Sequence, residues 1–219
     1  MQKIIHQFWI GPYAIPDRDR AWLIDIVRGH KQVNHILWYD GNIPEMSGEH
    51  KQIYDINYKL ENFNICVDLV KLYIVYHYGG IAMDIDYVMH RSLDDSPILE
   101  SRGFFLHDYG ELGRNISPCF FGANKGDELI SYMLSQANLQ CSWFGPDWYG
   151  STIRKYYSLG QQAGHNELGL KLTEQGYIYL NPSLRDHHFS HHGLGSWTPE
   201  YQPKRRLRTT EHPVPELFP

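Results

Sequence analysis

The stretch that most constrains this chain runs from residue 65 to residue 86. Ile65, Leu69, Leu72, Tyr73 and Tyr76 recur at the i, i+4, i+7, i+8, i+11 spacing of one buried helix face. Gly79-Gly80 ends that helix, because glycine tolerates the left-handed conformation that closes a helix. An apolar strand, 81–88, is predicted to follow at once, and it carries Asp84 and Asp86 separated by Ile85. In an extended chain residues i and i+2 point to the same face, roughly 6–7 Å apart. Two carboxylates placed so repel each other, and a divalent cation removes the repulsion. Their hard oxygens suit Mg2+ or Mn2+, ions that keep open positions for waters and substrate phosphates. The carboxyl end of a strand is also where open α/β sheets bind ligands. An Asp-x-Asp alone arises often by chance. A helix, Gly-Gly, an apolar strand and Asp-x-Asp in that order is far more specific.

The flanking pattern fits the same architecture. Residues 4–10 read as a strand stopped by Gly11-Pro12, and a helix follows Pro16-Asp17 with Trp22, Leu23, Ile26 and Val27 on one face. A second strand at 35–39 ends at the turn pair Asp40-Gly41. This β-α-β opening indicates an α/β fold with a mostly parallel central sheet flanked by helices. Further strands are predicted at 104–106, 119–122 and 177–180, with a helix from Asp127 to Ala137. Residues 1–198 read as one domain. Residues 199–219, rich in proline and carrying Lys204, Arg205, Arg206 and Arg208, read as an extended basic tail. Such a tail is either a solvated terminus or a weak peripheral contact with anionic lipid heads.

Composition narrows the function. Lys and Arg number 20 against 25 Asp and Glu, a formal net charge of −5, which argues against a nucleic-acid binder. With 42% apolar and 21% charged residues the chain is not a disordered one. Aromatic residues make up 14%, a supply of flat rings for stacking sugars and bases. Cys66, Cys119 and Cys141 form no CxxC pair and read as reduced, buried, inert thiols of a cytosolic compartment. No apolar stretch approaches the roughly 20 residues of a membrane span. The N-terminal residues lack the pattern of a signal peptide. The expectation is a cytoplasmic protein without a transmembrane segment, working at an inner membrane face if its tail touches lipid.

The segment Asp68-Leu-Val-Lys71-Leu-Tyr-Ile-Val-Tyr-His-Tyr-Gly79-Gly80-Ile-Ala-Met-Asp84-Ile-Asp86 resembles the signature of glycosyltransferase family 32, the sugar-transferases with a DXD motif. The opening Lys3-Ile-Ile-His6-Gln7-Phe-Trp9-Ile-Gly11 and the later His191-His192-Gly-Leu-Gly-Ser196-Trp197 resemble other blocks of that family. The family is similar in its catalytic core to the large clostridial glucosylating toxins. The resemblance implies a GT-A type nucleotide-sugar-binding fold and a retaining, metal-dependent transferase. It implies a hexose moved from a nucleotide-sugar, a UDP-sugar first, to a glycan, lipid-linked or protein acceptor, as in polysaccharide biosynthesis. Mn2+ is the implied cofactor, with Mg2+ as the alternative.

Residue by residue, the resemblance gives Asp84 and Asp86 the catalytic positions, with Asp84 on the donor's ribose and sugar and Asp86 on the metal. It places Trp9 on the base, and His6, Gln7, Asp68, Lys71, Asn115, Ser196 and Trp197 around the donor. It brings His191 or His192 near the metal, and puts Ser196 and Trp197 on a closing loop. Two positions depart from the family pattern: Lys71 stands for its usual Arg and Ala82 for its usual Tyr. From the residues alone, Asp68 and Lys71 also fit a surface i, i+3 ion pair, and Trp9 a core aromatic. The histidine run 187–192 also fits a polar surface loop or a zinc site. The rival function is a sugar-nucleotide or glycan-binding module of the same fold that no longer catalyses.

Overall fold

The computed structural model describes residues 1–108, 115–141, 144–161, 163–180 and 189–191. The tail at 199–219 and the residues His192, Ser196 and Trp197 lie outside this set.

Strand β1, Ile4–Trp9, opens the chain in the interior of a sheet. It pairs in parallel with β2, Asn34–Tyr39, on one side and with β3, Gly80–Met83, on the other. The sheet continues through β6, Asn115–Ala123, β5, Gly103–Asp108, and β7, Tyr177–Leu180, in the order β2-β1-β3-β6-β5-β7. Strand β6 is antiparallel to both β3 and β5, and the other pairings are parallel, so the sheet is mostly parallel as expected. Two short strands, β4, Tyr87–Met89, and β8, Phe189–His191, form a separate antiparallel pair.

Both faces of the sheet are covered, which fits its near-continuous apolar strands. On one face Phe8, Trp38, Ala82, Phe105, Phe121 and Tyr177 pack beneath five helices. These are α2, Gly48–Lys59; α3, Phe63–Tyr78; α4, Glu128–Gln136; α5, Pro146–Tyr156; and α6, His165–Glu174. On the other face Ile5, Ile81, Met83, Phe104 and Phe120 meet Ile26 of α1, Asp17–Gly29, and Ile98 and Leu99 of a 3-10 helix, Pro97–Glu100. Ala82 is fully buried in the first of these layers, so its small side chain opens no space toward a ligand.

Helix α3 differs from its sequence-based outline. It starts at Phe63 and is buried on most sides, including Asp68 and Lys71, while Tyr73 and Tyr76 are only partly covered. The strand expected over 81–88 is likewise two strands. The β3–β6 ladder runs from Gly80↔Ala123 to Met83↔Phe120, and Asp84 N–H donates one more bond to Cys119 O at 3.0 Å. The chain then turns at 84–86, Ile85 enters a small cluster with Ile15, Leu23 and Leu37, and β4 joins the second sheet.

The α3–β3 joint requires glycine. Gly79 caps α3 at φ 69°, and Gly80 has φ 98°, where a Cβ would lie 2.6 Å from the Ile4 carbonyl oxygen. Gly80→Ala is therefore expected to cost about 3 kcal/mol in urea denaturation, and a loss below about 0.5 kcal/mol would show that the joint tolerates a side chain.

Candidate functional site

The turn at 84–86 is fixed through its backbone and its central side chain. Asp84 N–H is held by Cys119 O, and Asp84 O accepts from Gln7 Nε2 at 3.0 Å. Ile85, 7% exposed, anchors the middle of the turn. The two carboxylates on either side are half-buried.

Lys71 organises the floor of the site. Its ammonium lies 3.0 Å from Asp68 Oδ1, 2.5 Å from Asp84 Oδ1 and 3.2 Å from Pro118 O. Three donors thus meet three acceptors. The side chain is 2% exposed, so the ion pair is an interior one and no surface i, i+3 contact. Burial opposes the charge, but Asp68 and Asp84 outweigh it and hold Lys71 well above its ordinary range. Burial pushes the Asp68 carboxyl up to about 6, with Lys71 pulling against that and Asp84 adding to it.

His6 and Gln7, expected at the donor, are 0% exposed and serve the fold. Trp38 Nε1–H can only donate, and it lies 3.0 Å from His6 Nδ1, so the proton of His6 sits on Nε2 and goes to Gly79 O at 2.8 Å. Burial lowers the His6 pKa to about 4 against the opposing pull of that carbonyl. Gln7 gives its amide to Asp84 O, and its carbonyl accepts from His35 Nε2. Burial, with the charges of His6 and His30 adding, lowers His35 to about 3. Both β1 side chains thus support the residues that flank β3.

Trp9 is half-buried. Its indole N–H donates to Tyr13 O at 2.6 Å, and its ring packs on the cluster that contains Ile85. Asn115 heads β6 opposite Asp108. On the far side of the turn, His191 of β8 is set opposite Tyr87 of β4, and the two rings stack at 4.6 Å and 15°. His191 Nε2 lies 3.1 Å from Asp86 Oδ1. Asp84, Cys119 and His191 each offer a ligand atom within 4.8 Å of the others. The structure therefore brings Asp68, Lys71, Asp84, Asp86 and His191 into one neighbourhood, with Trp9 against its wall.

Three participants escaped the sequence reading. Cys119 faces Asp84 across the ladder, a placement legible only once the β3–β6 register is known; burial and the Asp84 charge hold its thiol well above its ordinary range. Asp19 of α1, 2% exposed, pairs with Arg18 at 3.0 Å. Burial, opposed by Arg18 and reinforced by the Asp86 charge, raises its pKa. Tyr149 of α5 is fully buried beneath the Lys71 cluster, its pKa pushed up by burial and by Asp68.

Residues 16–104 match the family described as the glycosyltransferase sugar-binding region containing a DXD motif. Over those residues the chain is similar to the DXD-motif sugar-binding region of glycosyltransferases. Asp68, Lys71, Asp84 and Asp86 fall inside the matched residues, whereas the blocks at 3–11 and 191–197 fall outside them. The chain is 29% identical over 119 residues to inositol phosphoceramide mannosyltransferase 1 of Schizosaccharomyces pombe, covering 51% of this chain and 35% of that one. It is 31% identical over 93 residues to inositol phosphoceramide mannosyltransferase 3 of the same yeast, covering 42% and 26%. The chain thus spans about a third or less of the length of these curated relatives. The solved PaToxG glycosyltransferase aligns at TM-score 0.61 and 16% identity over 79% of this chain and 74% of its own. At that identity the likeness is one of fold, and the mixed sheet is that of the GT-A glycosyltransferases. Among the described residues no helix is long and apolar enough to cross a membrane.

Two outcomes follow from the buried charges. Lys71→Met leaves Asp68 and Asp84 facing each other and should cost about 3–5 kcal/mol of stability at pH 8. The loss should shrink at pH 5, where the Asp68 carboxyl takes up a proton, and equal losses at both pH values in urea melts would contradict the pairing. His6, lowered in the folded state, binds its proton only on unfolding between pH 6.5 and about 4, so stability falls as pH drops through that window. The contribution is about 3 kcal/mol over the window, while Asp68 offsets part of the total in the opposite sense. His6→Gln, which keeps a donor for Gly79 and an acceptor for Trp38, should therefore remove one proton from the measured pH slope of unfolding.

Proposed function

We propose that this domain transfers a hexosyl residue from a nucleotide-sugar to a hydroxyl of a glycan, lipid-linked or protein acceptor, with retention of anomeric configuration. The supporting observation is the convergence of Asp84, Asp86 and His191 at the carboxyl end of β3, above a buried ammonium that neutralises part of their charge. Two carboxylates and one imidazole are a donor set that fits Mn2+, with Mg2+ as the harder alternative. Asp86, Asp84 and His191 would hold such an ion. A bound cation there supplies electrostatic stabilisation of the diphosphate leaving group.

The protein's own groups do the rest of the work in this reading. Gln7 and the Cys119 carbonyl hold the Asp84 backbone, so its carboxylate is positioned before substrate arrives. Lys71 holds that carboxylate in place, and Asp68 shares the same ammonium. Trp9, its N–H already engaged, offers a ring face for the base. Asp19 is buried and tied to Arg18, so it is not presented as a nucleophile. A same-face displacement follows, in which the acceptor hydroxyl gives its proton to the departing phosphate. The two yeast relatives, both mannosyltransferases by name, favour a mannosyl donor within a panel that otherwise starts from UDP-sugars.

The test is nucleotide release from UDP- and GDP-sugars, mannosyl donors included, with and without Mn2+. One donor should turn over in a metal-dependent way, and Asp86→Asn should lower that rate about 100-fold or more while leaving the thermal melt in place. Full activity in Asp86→Asn would overturn the assignment.

A further inference from the structure

The DXD turn brings with it a thiol that the transfer reaction does not use. Asp84 is the residue after the last paired position of β3, Met83↔Phe120, so its partner across the ladder is Cys119. The bond from Asp84 N–H to Cys119 O fixes that register. Residues directly opposite in an antiparallel pair share a face, with Cβ atoms about 5 Å apart. His191 arrives from a different sheet, fixed by the Tyr87↔His191 pairing and by stacking on the Tyr87 ring. Three different ligand chemistries, carboxylate, thiol and imidazole, thereby meet within 4.8 Å, each on half-buried side chains.

We infer that Asp84, Cys119 and His191 form a binding site for a thiophilic divalent cation of the Zn2+ class, distinct in preference from the carboxylate- and imidazole-liganded ion of glycosyl transfer. Zn2+ takes thiolate, imidazole and carboxylate ligands, and sites with three protein ligands keep an open fourth position. A thiolate with an imidazole shifts selectivity away from Mn2+ and Mg2+ toward Zn2+. Lys71 engages Oδ1 of Asp84, and a carboxylate has a second oxygen to give. Asp86, 3.1 Å from His191 Nε2, is placed to orient the ring, as carboxylates do beside metal-bound histidines. On binding, the Cys119 thiol releases its proton to solvent and the sulfur lone pair goes to the cation, so charge and protons balance. Because Asp84 and His191 belong to both sets, a thiophilic ion and the transfer cofactor compete for one place. The inference uses the geometry of that place and stands whether or not a nucleotide-sugar is turned over.

Cobalt(II) reports the ligand set directly. Full-length protein titrated with Co2+, without any sugar nucleotide, should develop a near-ultraviolet thiolate-to-cobalt charge-transfer band, and stoichiometric Zn2+ should abolish it. Cys119→Ser should lose the band, and His191→Gln should weaken Co2+ binding. In the wild-type protein, Zn2+ should also protect Cys119 from alkylation, read by peptide mass mapping, while Cys141 still labels. That measurement decides the matter even if the Cys119 variant fails to fold. Co2+ bound without the band, a band that survives Cys119→Ser, or unchanged labelling of Cys119 would each overturn the site. Any of these results would leave the metal-dependent release assay, and the function it tests, untouched.

Discussion

Between Asp68 on α3, Asp84 after β3 and the Pro118 carbonyl on β6 lies a single ammonium, that of Lys71. Burying an ion costs several kcal/mol, so such a group persists only where each of its protons is met. Here all three are, by oxygens from three elements, and removing any of the three would leave the others mispaired. The arrangement couples the orientation of α3, the direction of the DXD turn and the end of the β6 ladder. It also gives the departure from the family's usual Arg a physical sense. A compact point charge fits three oxygens at short range, whereas a planar fork favours paired, flat acceptors.

The polar pattern of β1 has a similar logic. A strand paired on both sides and covered on both faces would ordinarily be apolar throughout. His6 and Gln7 interrupt that pattern, and each spends its hydrogen bonds on the segments around β3: His6 on the Gly79 carbonyl, Gln7 on the Asp84 carbonyl. One end of the short strand β3 is thus tied to β1 at its entry, and the other at its exit. Polar side chains in a central strand here support the backbone on either side of β3.

Much of the fold was legible in the sequence. The opening β-α-β, the Gly79-Gly80 stop, and the strand at Tyr177–Leu180 all follow local patterns that tertiary contacts did not override. Helix α2 was not legible, because only Ile53 among its residues is buried and its periodicity is weak. Helix α5 was hidden by Gly145-Pro146, which reads as a turn yet serves as helix cap and first turn. From the residues alone Asp68 and Lys71 also fitted a surface pair, because α3 looks amphipathic on paper; packing on several sides buried its polar face as well. Cys119 could not be placed from spacing, since its position beside Asp84 depends on a pairing between strands far apart in the chain.

The small β4–β8 sheet carries a consequence for the order in which the molecule assembles. Its pairing joins residues 87 and 191, a longer separation than that of β1 from β2 (Ile4↔Asn34) or from β3 (Ile5↔Ile81). Contacts of long sequence separation are entropically the last to be repaid. The main sheet and the carboxylates can therefore be in place while the imidazole of His191 is still absent. A ligand that needs His191 acts on that final equilibrium, stabilising the closed form by RT ln(1 + [L]/Kd). Completion of the fold and capture of the ligand are, at this corner of the molecule, one thermodynamic event.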